Sequence, residues 1–275
     1  MFYQRIWDAL QQCDPHLKCQ LTRQLYEDSL QQLCNPDNDT STPLNCEAGR
    51  PVKPDLVPPR EVPSRGIGSE QGRVILAHAI AHIEFNAINL ALDAAYRFRN
   101  MPADYYADWL KVAAEEAYHF SLLRHYLQQR GHDYGDFPAH QSLWEMAQRT
   151  SHDVMVRMAL VPRVMEARGL DVTPGIIKKL RHVKDTDLVA QLEIIHRDEI
   201  GHVAIGNKWF RYMCDQRQLD ARATFRQLID EYMNGSLKGP FDEVVRMQAG
   251  FSEEELADLR AMMPATGNQR TRKRK

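Results

Sequence analysis

The feature that most constrains this chain is a duplicated order of carboxylate and imidazole residues. Glu116 and His119 lie three apart in "AAEEAYHF", and Glu199 and His202 lie three apart in "RDEIGH". Each pair follows an earlier glutamate set in an apolar run, Glu84 in "AHIEFNAINLAL" and Glu166 in "LVPRVMEARGLD". The separations are 32 residues from Glu84 to Glu116 and 33 from Glu166 to Glu199, and the second half repeats the first at an offset of 82 to 83. On an α-helix, positions three apart are surface neighbours able to touch one partner. A single Glu-x-x-His is equally a surface pair of no consequence. Two copies, at matching places in two halves, ask for a common explanation.

The apolar pattern says what carries these residues. From Gln71 onward the chain reads as helix: about 71 to 99, stopped by Asn100-Met-Pro102; about 102 to 130, ended by Gly131; about 140 to 168, ended by Gly169; and about 174 to 214, opened by Thr173-Pro174. Pro162 should kink or divide the third segment. Two shorter helices are expected near 220 to 233 and 252 to 262, and no alternating strand pattern appears. Four long helices make an all-α four-helix bundle the natural architecture. Glu84 shares its face with Ala77, Ala81, Ile88 and Ala91, and Glu116 shares its face with Val112, Ala113, Phe120 and Leu123. Such faces point into a core. Buried carboxylates without partners are very costly, so a core holding four of them calls for cations. One Glu from each of two helices and one Glu-x-x-His from each of the other two supply six ligands, enough for two divalent metals with positions left open.

Before the bundle, residues 1 to 33 form a helical extension in which Pro15 separates two short helices. Residues 34 to 70 hold seven of the fourteen prolines, and "GRPVKPDLVPPREVPSRG" reads as an extended strap, with Val52, Leu56 and Val57 available to dock it. The expected organisation is therefore extension 1–33, strap 34–70, bundle 71–214, C-terminal helices 215–264 and basic tail 265–275. The last six residues carry five positive charges, so against the chain's net −2 the rest carries −7. That is a weak signal for nucleic acid, which prefers basic faces. No run was found that approaches the ~20 apolar residues of a membrane span, and the N-terminus lacks an apolar h-region. Five cysteines, odd in number and without a Cys-x-x-Cys pair, fit reduced thiols and a cytoplasmic location.

Taken together, these stretches resemble the ferritin-like superfamily. The chain from about residue 50 resembles a bacterial ferritin-like family catalogued only as a domain of unknown function, and is more distantly similar to di-iron tRNA hydroxylases, arylamine oxygenases and manganese catalases. The resemblance implies a ferritin-like bundle and a dinuclear site of iron, or alternatively manganese. It does not imply a reaction. Two classes of function stay open. One is an O₂-dependent oxidoreductase or hydroxylase acting on a small molecule, which needs a separate reductase because no dinucleotide fingerprint is present. The other is a metal-handling protein: a ferroxidase, an iron store or a peroxide-scavenging manganese site. A monomer or homodimer is expected, since the strap would cover faces that storage cages use to assemble. Four more residues are candidates around the six. His196 is a further ligand, a gate or a packed histidine. Glu115 and Asp198, one turn before His119 and His202 respectively, would orient those imidazoles or sit as surface charges. Arg163, one turn before Glu166, would neutralise a carboxylate or hold an anionic substrate. His78 and His82 fall off the Glu84 face and read as structural. Trp109, Trp144, Tyr96 and Tyr118 read as core, Tyr118 with a possible redox role beside His119.

Overall fold

The computed structural model describes residues 1–31, 47–63 and 66–263. Cys34, Cys46, the rest of the stretch 32–46, and the basic tail lie outside the described residues. Within them the protein is all-helical. The only extended pairing there is an isolated bridge between Leu56 and Ala139.

Four long helical stretches position the candidate site. Helix α3, Glu70–Arg97, begins where Ser69 caps the Gly72 amide at 3.1 Å. It ends before Asn100, whose φ of 61° turns the chain into Pro102 and α4, Ala103–Gln128. The third stretch is α6, Val154–Leu160, running through a π-helical turn, Val161–Glu166, into α7, Ala167–His182. Asp153 caps its start, accepting from the Met155 amide at 2.7 Å. The fourth is α8, Thr186–Gln216, capped by Asp185. Helix α3 packs along α4, α4 against α8, and α8 against α6 and α7. The N-terminal helices, α1 (Phe2–Gln11) and α2 (Pro15–Leu30), lie on α3 and α4 respectively. The short helix α5, Ser142–Arg149, precedes α6; α9 (Ala221–Met233), α10 (Glu243–Gln248) and α11 (Glu253–Ala261) follow α8.

The third stretch differs from its sequence reading. It starts at 154 rather than 140, and neither Gly169 nor Thr173-Pro174 interrupts it; Pro174 lies inside α7. Burial of Ala167, Leu170, Ile177 and Leu180, on the helix that packs against α8, outweighs these local breakers. Pro162 does act, but by widening the helix rather than breaking it. Proline has no N–H to give and its ring crowds the carbonyl four residues back. The chain responds with a five-residue hydrogen bond, Ala167 N–H to Pro162 O. Opposite it sits Gly206 of α8, where a Cβ would fall 2.4 Å from the Pro162 ring. Only glycine lets α8 approach the widened turn.

By length and composition α3 is apolar enough to cross a membrane, contrary to the sequence reading that no run was. Most of it is buried by its neighbours, as in the core helix of a packed protein. The strap residues 47–57 dock with Leu56 and Val57 half-buried, but Val52 is 91% exposed. The strap also holds through Gly49 N–H to Leu10 O at 2.9 Å, Val57 N–H to Ala139 O at 2.8 Å, and Glu47, which accepts from the Trp144 indole at 2.6 Å.

Candidate metal centre

The faces read from sequence are the buried faces. Ala77, Ala81, Ile88 and Ala91 of α3, and Val112, Ala113, Phe120 and Leu123 of α4, are each at most 2% exposed. Among them lie Glu84 and Glu116, at 2% and 1%. Glu84, Glu116, His119 and Glu199 each offer a ligand atom, and those atoms all lie within 4.8 Å of one another. This buried group could hold a metal ion. His202 joins it from α8, its Nδ1 2.9 Å from Glu116 Oε1 and 3.7 Å from Glu199 Oε1. Glu166 projects from the end of the π turn, and the charges of Glu199 and Glu116 are felt at its carboxyl.

Several atoms of this core are sealed from solvent yet lack a hydrogen bond: Glu84 Oε2, Glu166 Oε2 and His202 Nδ1. The short approach of His202 Nδ1 to Glu116 does not have hydrogen-bond geometry. His119 Nδ1 stands 3.4 Å from oxygens of both Glu84 and Glu116, the second a long hydrogen bond. The groups converge on a common space and pair only loosely with each other.

The two imidazoles are held from behind by carboxylates. His119 Nε2 lies 3.1 Å from Asp198 Oδ2, and His202 Nε2 lies 2.9 Å from Glu115 Oε2. A carboxylate only accepts, so Nε2 carries the proton in each ring and Nδ1 is the nitrogen offered to the core. The pairing crosses between helices: the acid of α8 orients the histidine of α4, and the reverse. Sequence spacing suggested each acid beside the histidine of its own motif, and the crossing appears only once α4 and α8 are packed together.

Protonation records how unbalanced the bare cluster is. Burial pushes Glu84 well above its usual range, reinforced by the charge of Glu116. Burial raises Glu166 to about 8, again reinforced by Glu199 and Glu116. Glu199 is raised for the same reasons. Glu116 is the exception: burial would raise it, but His202 and His119 outweigh burial and hold it low. Burial alone would lower both histidines; hydrogen bonding to Glu116 and Glu84 lifts His119 to about 11, and the charges of Glu116 and Glu199 raise His202. Without a cation the core stores protons in its place.

The remaining candidates lie elsewhere. Arg163 does not face Glu166. Its fully buried guanidinium pairs with Glu255 of α11 and is ringed by Phe210, Phe225 and Phe251. In the wider π turn, three residues cover less of a rotation, so Arg163 leaves the Glu166 face. His196 is half-buried, with an unpartnered Nδ1, and is not among the clustered residues. Tyr118 is 44% exposed, its ring 6.3 Å from that of His119, so it is not core. Trp109, Trp144 and Tyr96 are buried, as read. His78 and His82 are structural: His78 accepts from the Gly135 amide, and His82 bonds Tyr134 and the His140 carbonyl.

A family model described as a protein of unknown function (DUF455) matches residues 11–257. The chain belongs to the DUF455 family. A protein of Haemophilus influenzae carrying the description "Uncharacterized protein" is 47% identical over 265 residues, covering 93% of this chain and 92% of the relative. No solved structure matches the chain. Membership in DUF455 carries no reaction with it, so the chemistry is read from the core residues themselves.

Proposed function

We propose that this protein is a ferritin-like bundle whose core holds two metal ions, most simply iron, and that it is an O₂-dependent oxidoreductase acting on a small molecule. The observation that carries the reading is the convergence of orphaned ligand atoms. Three carboxylates, Glu84, Glu116 and Glu199, and two imidazoles, His119 and His202, lie together; the charges of Glu199 and Glu116 reach the Glu166 carboxyl, and Glu84 Oε2, Glu166 Oε2 and His202 Nδ1 have no hydrogen-bond partner. Glu84, Glu116, His119, Glu166, Glu199 and His202 would hold the metals. Carboxylate and imidazole donors suit iron or manganese, and O₂ reduction is the chemistry that bound iron would supply.

The chain's own residues would do the rest. Glu115 and Asp198 fix the ring orientations and, by accepting from Nε2–H, make each Nδ1 a stronger donor. The carboxyls of Glu84, Glu166 and Glu199 release protons as cations enter, so affinity should rise with pH. Val112, Ala113, Phe120 and Val203, all at most 2% exposed, keep bulk water out of the core. Electrons would come from a separate reductase.

The test is metal content and O₂ uptake. Reconstituted wild-type protein should hold two irons per chain and consume O₂ when given a chemical reductant. His202→Ala should lower metal affinity at least as much as loss of an outer-shell partner does, about 10- to 100-fold, with helicity retained. Unchanged stoichiometry in His202→Ala would remove the assignment. A large cage-like assembly accumulating iron far beyond two per chain would replace the enzyme reading with storage.

A further inference from the structure

On the far side of α3 from Glu84 lies a second built feature, a cavity of about 240 Å³ roofed by the Pro-rich strap. At 100° per residue, His82, Phe85, Asn86 and Asn89 centre on the face opposite Glu84. The cavity is therefore independent of the metal core. Asn86 and Asn89 line it from α3, Phe85, Tyr134 and Trp144 supply aromatic walls, and Arg50 of the strap stands at its exposed rim. A volume of this size equals roughly eight waters at ~30 Å³ each. It falls just below the roughly 300–1,000 Å³ of common ligand pockets.

The two asparagines are unusual for the middle of a core helix, being 7% and 3% exposed. Each spends half of its amide on the fold. Asn86 Nδ2 donates to the His82 carbonyl at 2.8 Å, which fixes its orientation and leaves Oδ1 as a free acceptor. Asn89 Oδ1 accepts from the buried Lys18 Nζ, which fixes its orientation and leaves Nδ2 as a free donor. Among the described residues no hydrogen bond reaches either remaining atom, and both side chains line the cavity. Asn86 also borders a small void of about 20 Å³ behind His82. His82 adds no charge at neutral pH, since burial lowers its pKa to about 4. Its Nε2–H and Nδ1 are already occupied by the His140 carbonyl and the Tyr134 hydroxyl. What remains is an acceptor and a donor one helical turn apart, between aromatic faces.

We propose that this cavity binds a small planar molecule bearing an adjacent N–H donor and carbonyl acceptor, of the amide, lactam or nucleobase-edge class, with Asn89 Nδ2 donating to its carbonyl and Asn86 Oδ1 accepting from its N–H. Phe85, Tyr134 and Trp144 cover its ring. Lys18, when protonated, polarises the Asn89 amide and strengthens the donor. Buried amides half-used by the fold are costly unless the other half is satisfied, and a ligand of this class satisfies both at once.

The test uses the full-length protein with uracil and benzamide as probes, followed by ligand-observed saturation-transfer NMR and calorimetry. Both should bind with millimolar or tighter Kd. Toluene, with the ring but no amide, should not. Asn89→Asp keeps the shape, retains an acceptor for Lys18 and replaces the open donor by an acceptor; it should weaken both probes at least about 10-fold, the worth of one hydrogen bond. A second arm needs no variant: 1,3-dimethyluracil, lacking N–H donors, should bind wild type at least about 10-fold more weakly than uracil. No saturation transfer from uracil or benzamide at about 10 mM would overturn the proposal, the cavity then being a water site. Equal binding of toluene, of 1,3-dimethyluracil, or of uracil to folded Asn89→Asp would overturn it too.

Discussion

Two buried charged clusters join the same two helical stretches, and they are built to opposite ends. Glu84 of α3 and Glu166 of the π turn belong to the carboxylate–imidazole core. Asp93 of α3 and Arg157 of α6 belong to the other. That second cluster is closed. Arg157 donates to Asp93 at 2.7 Å and to Thr150 at 2.8 Å, and Arg97 donates to Asp93 through both Nε and Nη2. Burial pushes the Asp93 carboxyl up, but Arg157 and Arg97 outweigh it and hold it low. Among the described residues the core cluster has no arginine or lysine partner: its two histidines hold only Glu116 low, the other three carboxyls are pushed up, and several atoms are sealed without a bond. A buried charge completed by the protein is structural. One left incomplete, with its donors aimed at a shared space, is a place for something the chain does not itself supply.

The largest effect separating the two should come from breaking the closed cluster. Arg157→Ala leaves Asp93 buried with Arg97 alone. The expected cost is about 3 kcal/mol, the lower end for removing one partner of a buried pair because Arg97 remains. Urea denaturation of wild type and variant measures it. Metal bound per folded chain should not change. If Arg157→Ala lost metal while keeping its stability, the division between the clusters would be wrong.

A smaller effect is expected from the crossed acids that orient the histidines. Glu115→Gln and Asp198→Asn each keep the shape but weaken the grip on one Nε2–H. Either should lower metal affinity by about 10- to 100-fold, with thermal stability of the metal-free protein little changed. Titration of both variants with Fe(II) or Mn(II), followed calorimetrically, is the measurement. Because the pairing crosses, Glu115→Gln should disturb the site served by His202, and Asp198→Asn the one served by His119. Identical losses at both sites from either variant would show that the crossing does not matter.

Much of this was legible in the sequence because it rests on periodicity. The Glu-x-x-His repeat, the apolar company of Glu84 and Glu116, and the stops at Asn100 and Gly131 follow from 3.6 residues per turn and from residues that tolerate positive φ. What was not legible came from departures in that same period. A π turn at Pro162 changes which residues share a face, so Glu166 turns inward while Arg163 turns away to Glu255. Gly169 and Pro174 are local punctuation, yet burial against α8 carries the helix through both. The crossed Glu115–His202 and Asp198–His119 contacts depend on how two helices meet, which spacing within either one does not contain. The half-used amides of Asn86 and Asn89 gave a possible signal, two asparagines three apart in the apolar run "AHIEFNAINLAL", that helical periodicity by itself does not interpret.

Lys18 shows a third way to carry a buried polar group, and it sharpens the contrast most finely. Its side chain is fully buried, and the partners of its Nζ are neutral oxygens, the Leu10 carbonyl at 2.7 Å and Asn89 Oδ1. Among the described residues neither a counter-charge nor a cation site completes it, so it sheds its proton: burial lowers its pKa from 10.5 to about 7. The sign follows from linkage. The folded pKa lies below the unfolded one, so between about pH 7 and 10.5 the unfolded chain binds the extra proton, and stability rises with pH across that window. It is lost again as pH falls through 7. Lys18→Met has no such titration, while other groups, including Cys19 beside it, titrate in both proteins and cancel in the comparison. From pH 7 to pH 9 wild type should therefore gain about 2 kcal/mol relative to Lys18→Met, within the 1.36 kcal/mol per pH unit that one proton allows. The constant cost of leaving Asn89 Oδ1 unpaired in the variant does not enter that slope. Urea denaturation of both proteins at the two pH values reads it directly. Parallel stability curves would mean that Lys18 keeps its proton inside the fold, and that a counter-charge completes it as Asp93 completes Arg157.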